Sequence, residues 1–446
     1  MVSEPIPGLI LSFAMPAIIG MIAGAVYNIV DRIFVGQFVG SVGLAAISVS
    51  FPAMLFMMAF AMLICIGGSS RVAILFGARR IRAAEQALTT TFVLLAIVGI
   101  CCVAASFCGL DRILSLAGGS GEVLETARAY LRIVMLGAPF GLFGFGANFL
   151  VRASGSPRYA MYTQIIGALC NVALDAFFIM KLDMGVAGAA YGTVAAQAIS
   201  AVFGLAFFWR REAPLRPRAA FVSWPRFDVV KKIFAVGSAP FFMEISFVLY
   251  MTIMNQLVLK YGGETGLSAM GIFFSLDSLF FLPAMAIGEA AQPIIGYNYG
   301  AGEPKRVLKA IFCAMTMAIV FYIISGALAE IFARELMALF TGDETLLAIG
   351  VPGMRIGYIG IPFMGVTIIT NASLQGLGKG MASLILSFCR HVLCMFVPLL
   401  TLPHFFGLNG VWMSFPFGDI GGSLISAGFL IWLVRWLKSP AALVIK

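Results

Sequence analysis

Four polar side chains in a strongly apolar sequence have the types and spacing to bind a proton or a small cation. Asp31, Asn171, Asp175 and Thr193 each lie well inside an apolar stretch, where a polar group is expensive to keep and therefore points to function. Asn171 and Asp175 are four residues apart, which puts them on one face of a helix. At a rise of 1.5 Å per residue, Asp31 and Asp175 sit about 8 and 9 Å below the outer ends of their spans, Thr193 about 12 Å and Asn171 about 15 Å; Tyr130, about 8 Å down, can join them. Two carboxylates facing each other in a dry bundle cannot both stay charged cheaply, so a proton on one of them or a cation between them relieves the repulsion. Carboxylate, amide and hydroxyl oxygens are also the hard ligands of Na⁺, so these residues admit either H⁺ or Na⁺. The plainer alternative makes Asp31 a helix cap or a partner of Arg32 and turns Asp175 outward.

A second set of polar residues suits a cationic ligand. Glu244, beside Met243, and Asp277 fall about 22 and 17 Å into their spans, within the bilayer core, and Glu289 lies nearer the inner mouth. Their counterparts 223 positions earlier are Met21, Met54 and Ile66, all apolar. The expected division of labour is cation coupling in the first half and attraction of a cationic substrate in the second. Asn148, Met243, Glu244, Asp277 and Glu289 are the substrate-binding candidates. The competing expectation is structural, with Glu244 or Asp277 paired to Arg390 or His391. The 24 Met and 40 Phe offer deformable and aromatic walls for flat amphipathic cations, although most must face lipid or fill helix interfaces.

The elements that hold these residues follow from composition. With 61% hydrophobic and 11% charged residues, the chain lacks the polar surface of a soluble globule, in which about a quarter of residues are charged. Apolar stretches of this length cross about 30 Å of hydrocarbon as helices, and twelve are expected, six in each half. The halves repeat: Gly43 and Gly266, Arg132 and Arg355, Pro139 and Pro362, Asn148 and Asn371 are each 223 positions apart in the 446-residue chain. An even number of spans per half leaves both halves the same way up, so the relating axis runs along the membrane normal. The expected fold is therefore an all-α polytopic membrane protein, with twelve transmembrane helices in two six-helix bundles related by a pseudo-two-fold axis. The expected borders are residues 1–209 for the first bundle, 210–228 for a cytoplasmic linker containing Trp224, and 229–446 for the second bundle.

Most of the 29 Lys and Arg fall on one side in this layout, with the linker densest: Arg210, Arg211, Arg216, Arg218 and Arg226. The positive-inside rule then puts both termini in the cytoplasm of a multi-pass inner-membrane protein. The net charge of +9 reads as topology and lipid contact, with no nucleic-acid partner expected. The eight cysteines show no metal-ligand spacing, and no metal site or cofactor is expected beyond a coupling H⁺ or Na⁺. Only two histidines are present, and no phosphate loop or HExxH motif, so an enzyme is disfavoured. A channel filter needs a ring of ligands that one off-centre acid site does not supply. The loop "FGARRIRAA" lacks the signature of a major-facilitator transporter. A lipid-linked saccharide flippase of related fold remains the alternative, although it would carry a cationic central cavity where this chain places acids.

At "YNIVDRIFVG", "CNVALDAFFI", "GVAGAAYGT" and "AMAIGEAAQPIIGYNYGAGEPKR" the chain resembles the multidrug and toxic compound extrusion (MATE) family, and more closely its MepA-like bacterial branch. The resemblance covers essentially the whole chain. It implies a pair of six-helix bundles that exports organic cations and drugs by alternating access, driven by inward H⁺ or Na⁺ flow. It also implies that Asp31, Asn171, Asp175 and Thr193 match the amino-terminal cation site, and that Tyr130 and Asn148 match polar positions of the same lobe. The tenth span, "MRIGYIGIPFMGVTIITNASLQ", has no acid where the NorM-type branch carries one, which argues against a Na⁺ site in that lobe. The expected working unit is a monomer in contact with membrane lipids.

The charge bias gives a direct test of topology. A single cysteine at Arg216, in a background without native cysteines, is expected to stay unlabelled when intact cells meet a membrane-impermeant thiol reagent. Ready labelling from outside would reverse the orientation.

Overall fold

The computed structural model describes residues 4–221 and 226–440, and Trp224 lies outside them. Its helices are α1 (Ile6–Phe38), α2 (Ser41–Gly77), α3 (Ile81–Cys108), α4 (Leu110–Leu116), α5 (Gly121–Ala153), α6 (Pro157–Asp175), α7 (Gly185–Ala206), α8 (Phe227–Gly300), α9 (Pro304–Ile331), α10 (Ala333–Ala338), α11 (Glu344–Tyr358), α12 (Ile361–Gly376), α13 (Gly380–Phe388), α14 (Val397–Phe406) and α15 (Leu408–Leu437). Ten helical stretches among the described residues are long and apolar enough to cross a membrane. The longest, α8, is two helices joined at Gly263, whose φ of 63° only glycine adopts without strain. The pair α11 and α12 is a further span bent by 49°. Counting α8 as two and the bent pair as one brings the spans to the expected twelve, in a multi-pass membrane protein.

The repeat survives in this architecture with local divergence. Pro139 lies inside the unbroken helix α5. Its counterpart Pro362 opens α12 just after the break at Ile359 and Gly360. The fifth span of each half contains a π-helical stretch, Ala176–Lys181 after α6 and Cys389–Phe396 between α13 and α14. Such widened turns re-aim side chains and are frequent at functional sites; the first begins directly after Asp175, and the second contains Arg390.

The compact units do not coincide with the borders at 209 and 229. One unit is Met15–Phe241; the other is Phe242–Lys446 together with Met1–Ala14. The cuts fall inside α1 and α8, beside Pro16 and Pro240. The opening turns of α1 belong to the second unit, where Ile6, Leu9, Ile10 and Phe13 are buried among Ile287, Ile294, Ile311 and Leu433. Arg306 holds this segment by donating to the Glu4 carbonyl at 2.7 Å. Conversely, the opening turns of α8 belong to the first unit. Gly67 there faces the Ile233 carbonyl and Gly237 faces the Leu63 carbonyl, so closely that a Cβ would fall 2.0 and 1.7 Å from the oxygens. The sequence-based borders fail because glycine on both helices lets backbones touch, and that packing outweighs chain continuity.

The described part of the linker up to Phe221 packs on the first unit. The Arg218 N–H donates to Thr89 Oγ1 at 3.1 Å, and its guanidinium pairs with the Glu85 carboxylate. Arg210 stacks over the Tyr159 ring at 4.6 Å, and Leu215 is fully buried. Within the same unit α5 runs against α2, α3, α6 and α7. Its approach to α7 is made through small residues, with Gly144 on Ala201 and Ala147 on Gly204.

The helix crossing at Gly237 predicts an asymmetric response to a single methyl. Gly237→Ala is expected to destabilise the purified protein by about 1–3 kcal/mol, because backbone cannot move aside for it. Gly271→Ala, at an open helical position, is expected to be neutral or mildly stabilising. Thermal unfolding of both variants checks this.

Candidate functional site

In the first unit, four elements bring the predicted polar residues together. Asp31 comes from α1, Tyr130 from α5, Asn171 and Asp175 from successive turns of α6, and Thr193 from α7. Asp175 is fully buried, and Asp31, Tyr130 and Asn171 are nearly so. The Asp31 and Asp175 carboxyls lie within reach of each other's charge, so the two cannot both stay ionised cheaply. The Asn171 amide spans Asp175 Oδ1 and Thr193 Oγ1, both at 3.4 Å. Tyr130 packs with Val35, Val134 and Ile179, within range of both acids' charge.

Neither plainer alternative describes the two acids. Asp175 is turned inward, and Asp31 faces Asp175. The approach depends on Gly192, whose place on α7 leaves room for the carboxylate; a Cβ there would lie 2.0 Å from Asp175 Oδ1. Three acceptor oxygens, Asp31 Oδ1, Asn171 Oδ1 and Asp175 Oδ2, are buried with no hydrogen-bond donor. Unmatched buried acceptors are rare in folded proteins. These oxygens, one from each of two carboxyls and one from an amide, are ligands that a proton or a desolvated Na⁺ would satisfy. Among the described residues no group of three His, Cys, Asp or Glu is placed to hold a metal ion.

A cavity of about 320 Å³ opens beside this cluster within the first unit, with Asn171 and Thr193 in its wall and Tyr27, Met21, Met57 and Phe145 around it. Asn148 lies at its other end, separate from the acids, and is engaged by its neighbours. Its Nδ2 donates to the Ala160 carbonyl at 2.7 Å and to Thr163 Oγ1 at 3.1 Å, and its Oδ1 accepts from Arg152 at 2.7 Å. The repeat counterpart Asn371 is engaged in the same way, donating to Ser387 Oγ at 3.2 Å and Met243 Sδ at 3.3 Å and accepting from Ser383. These two asparagines tie the fourth span of each half to its fifth, and Met243 serves that tie in the second unit.

The second-unit acids are not paired with Arg390 or His391 in the way the structural expectation had it. Glu244 is half-buried on the first arm of α8, and Glu289 is half-buried on the second arm. Asp277 lies within range of the charge of Asp419 of α15, an acid not among the expected site residues. Arg390 approaches Asp419 at 3.8 Å in place of the expected Glu244 or Asp277. His391 is bonded through Nδ1 to the Ser387 carbonyl at 2.8 Å. The hydroxyls of Tyr322 and Tyr358 are buried near Asp277 without hydrogen-bond partners. Asp419 carries the same signal as Asp277, an acid inside an apolar span. Its proximity to Arg390 has none, because the two belong to different helices.

The family model MatE matches residues 16–177 and again residues 240–400, one copy for each half of the repeat. The multidrug export protein MepA of Staphylococcus saprophyticus is 24% identical over 95% of this chain and 93% of its own. MepA of Staphylococcus aureus strain NCTC 8325 is 25% identical over 97% and 95%. Among solved structures, an outward-facing multidrug-resistance MATE transporter of the MOP superfamily superposes with a TM-score of 0.92 at 25% identity, over 98% of this chain and 97% of that one. A MOP-superfamily transporter from Pyrococcus furiosus, described as having a binding pocket of reversed polarity, gives 0.91 at the same identity over the same shares.

The contact between Gly192 and Asp175 predicts an energetic coupling. Gly192→Ala is expected to lower the thermal midpoint, and Asp175→Ala, which vacates the space, to remove that loss. The pair is then coupled by on the order of 1 kcal/mol in a double-mutant cycle. Additive losses would show that the two residues do not press on one another.

Proposed function

The chain belongs to the MatE family, and we propose that it is a secondary active exporter of small amphipathic molecules, powered by inward H⁺ or Na⁺ flow through the Asp31 and Asp175 pair. The observation that carries this reading is the position of Asn171. Its amide touches Asp175 and Thr193, and the same residue lines the adjoining cavity. Binding of a proton or Na⁺ at the carboxyls changes what the amide is bonded to, and so changes the wall against which cargo rests. Occupancy must favour one of two conformations, since a ligand shifts an equilibrium only through differential affinity. That requirement is met by alternating access with the acid pair loaded on the outer side and emptied on the inner side.

The driving force is modest. One inward proton supplies about 2.3 kcal/mol per 100 mV and about 1.4 kcal/mol per pH unit, which supports export against roughly a few-hundredfold gradient. Glu244 and Asp277 are assigned to attraction of cationic cargo in the second unit. Asn148, Met243 and Glu289 are kept as residues near the cargo path, the first two also as packing ties. The inner membrane is the expected location, with both termini cytoplasmic, and the protein acts as a transporter without catalytic groups or cofactor.

Reconstituted vesicles with separately imposed pH and Na⁺ gradients test the coupling. Asp175→Asn and Asp31→Asn, which imitate a permanently protonated acid, are each expected to abolish gradient-driven accumulation of a fluorescent cation while binding of that cation persists. Concentrative transport by Asp175→Asn at the wild-type rate would remove the acid from the mechanism. Whichever gradient alone drives the wild-type protein identifies the ion.

A further inference from the structure

The second unit holds a group of ionisable side chains that the coupling mechanism does not use. Asp277 comes from the second arm of α8, Arg390 from the π-helical stretch after α13, and Asp419 from α15. Asp277 lies within range of the charge of Asp419, and Arg390 stands 3.8 Å from Asp419, beyond the reach of a hydrogen bond. The Arg390 Nε is buried without an acceptor, and the Tyr322 and Tyr358 hydroxyls near Asp277 are equally unengaged. The neighbouring Tyr250 and His391 are already occupied, the first with Ser414 Oγ at 3.1 Å and the second with the Ser387 carbonyl at 2.8 Å.

Arg390 is seated by shape and not by a tight ion pair. Its stem lies across Gly422 of α15, where a Cβ would fall 2.9 Å from Cγ and 3.3 Å from Nε. Gly422 is three residues beyond Asp419, on the same face of that helix. Asp419 is in turn backed by Gly360, where a Cβ would fall 2.8 Å from the Asp419 Cβ. The guanidinium is therefore a positive charge fixed beside two acids, and it cannot discharge, because arginine keeps its proton in proteins. An ion pair that served packing alone would be closed, since a loose pair in a membrane span recovers little of its desolvation cost. Aromatic faces adjoin the group: the Tyr358 ring meets Phe273 at 5.2 Å and Phe280 at 5.7 Å.

With both carboxyls ionised, two acids and one guanidinium carry a single net negative charge. One added positive charge balances it, while two leave an excess where little water is present to screen it. We propose that Arg390 is a specificity-determining residue that sets the valence of the cargo, so that the Asp277 and Asp419 region receives organic cations of one positive charge and disfavours those of two. The adjoining rings supply faces for the flat part of such a cation. The inference rests on the assignment of Asp277 to cation attraction and goes beyond it by naming the residue that limits how much charge is accepted.

The test is equilibrium binding to the purified full-length protein in nanodiscs, at one fixed pH and without gradients, using three probes built on one biaryl frame. Methylbiphenyl is neutral, methylphenylpyridinium carries one positive charge, and methyl viologen carries two. The wild-type protein is expected to bind methylphenylpyridinium roughly tenfold more tightly than either of the others. Arg390→Met keeps a stem over Gly422 and removes the charge, so it is expected to reverse the order of the two cations, tightening methyl viologen by roughly tenfold. Arg390→Lys is expected to keep the wild-type order. Arg390→Met combined with Asp419→Asn restores the charge count and is expected to restore the preference for the single charge, a recovery that a packing role for Arg390 would not produce. Equal weakening of both cations by Arg390→Met, or an unchanged ratio between them, overturns the proposal. Should Arg390→Met fail to fold, Asp419→Asn alone decides: it takes the net charge to zero and is expected to weaken methylphenylpyridinium by roughly tenfold, and an unchanged affinity overturns the proposal. Equal binding of all three probes by the wild-type protein would sink the assignment of these acids to cation attraction. A cation preference whose valence ratio ignores Arg390 would sink the role of Arg390 alone.

Discussion

Two carboxyls pressed together inside a helical bundle that water does not fill set the main constraint on the first unit. Asp31 and Asp175 repel when both are charged, and hydrocarbon offers no solvation to soften that repulsion. The surrounding helices must therefore admit a proton or cation, supply donors, or move apart. The packing supplies few donors: the Asn171 amide reaches Asp175, while three oxygens in the cluster remain without any. The place of Asp175 in this under-satisfied cluster is fixed by the absence of a side chain at Gly192.

The second unit answers the same constraint in another way. Its half-buried acid Asp277 lies within range of the charge of Asp419, and Arg390 stands 3.8 Å from Asp419, so charge is partly offset by charge. Two carboxyls against one guanidinium lie near the Tyr322 and Tyr358 hydroxyls, which are buried without hydrogen-bond partners. The halves thus keep a common scaffold, seen in the matching roles of Asn148 and Asn371, while their polar interiors have diverged. The proposed division of coupling from cargo attraction draws on this divergence, because one acid cluster cannot be neutralised by the driving ion and still hold a cation through charge.

Glycine carries much of the geometry. Gly67 and Gly237 bring α2 and the start of α8 into backbone contact, and Gly20 and Gly141 make the notches in which Gln164 and Gln197 are seated. In lipid there is no hydrophobic force to press helices together, so close approach through small residues is a main source of association. It is also why the compact units begin at Met15 and Phe242 and not at the linker. Pro16 and Pro240, next to those crossings, interrupt the helical hydrogen-bond ladder where α1 and α8 pass from one unit to the other.

The membrane class, the twelve spans, the repeat, and the polar residues Asp31, Asn171, Asp175 and Thr193 as candidates for one cluster were legible in the amino-acid sequence alone. Span length and residue rise are properties of a single helix, and a buried acid in an apolar stretch is visible without neighbours. It did not determine which helix faces meet. Asp419 opposite Asp277, Arg390 turned to Asp419, the cavity beside Asn171, and the start of each half packed in the other unit all depend on contacts between helices far apart in the chain. Those contacts are set by where one helix lacks a side chain and another can fill the space, and only the tertiary structure decides that.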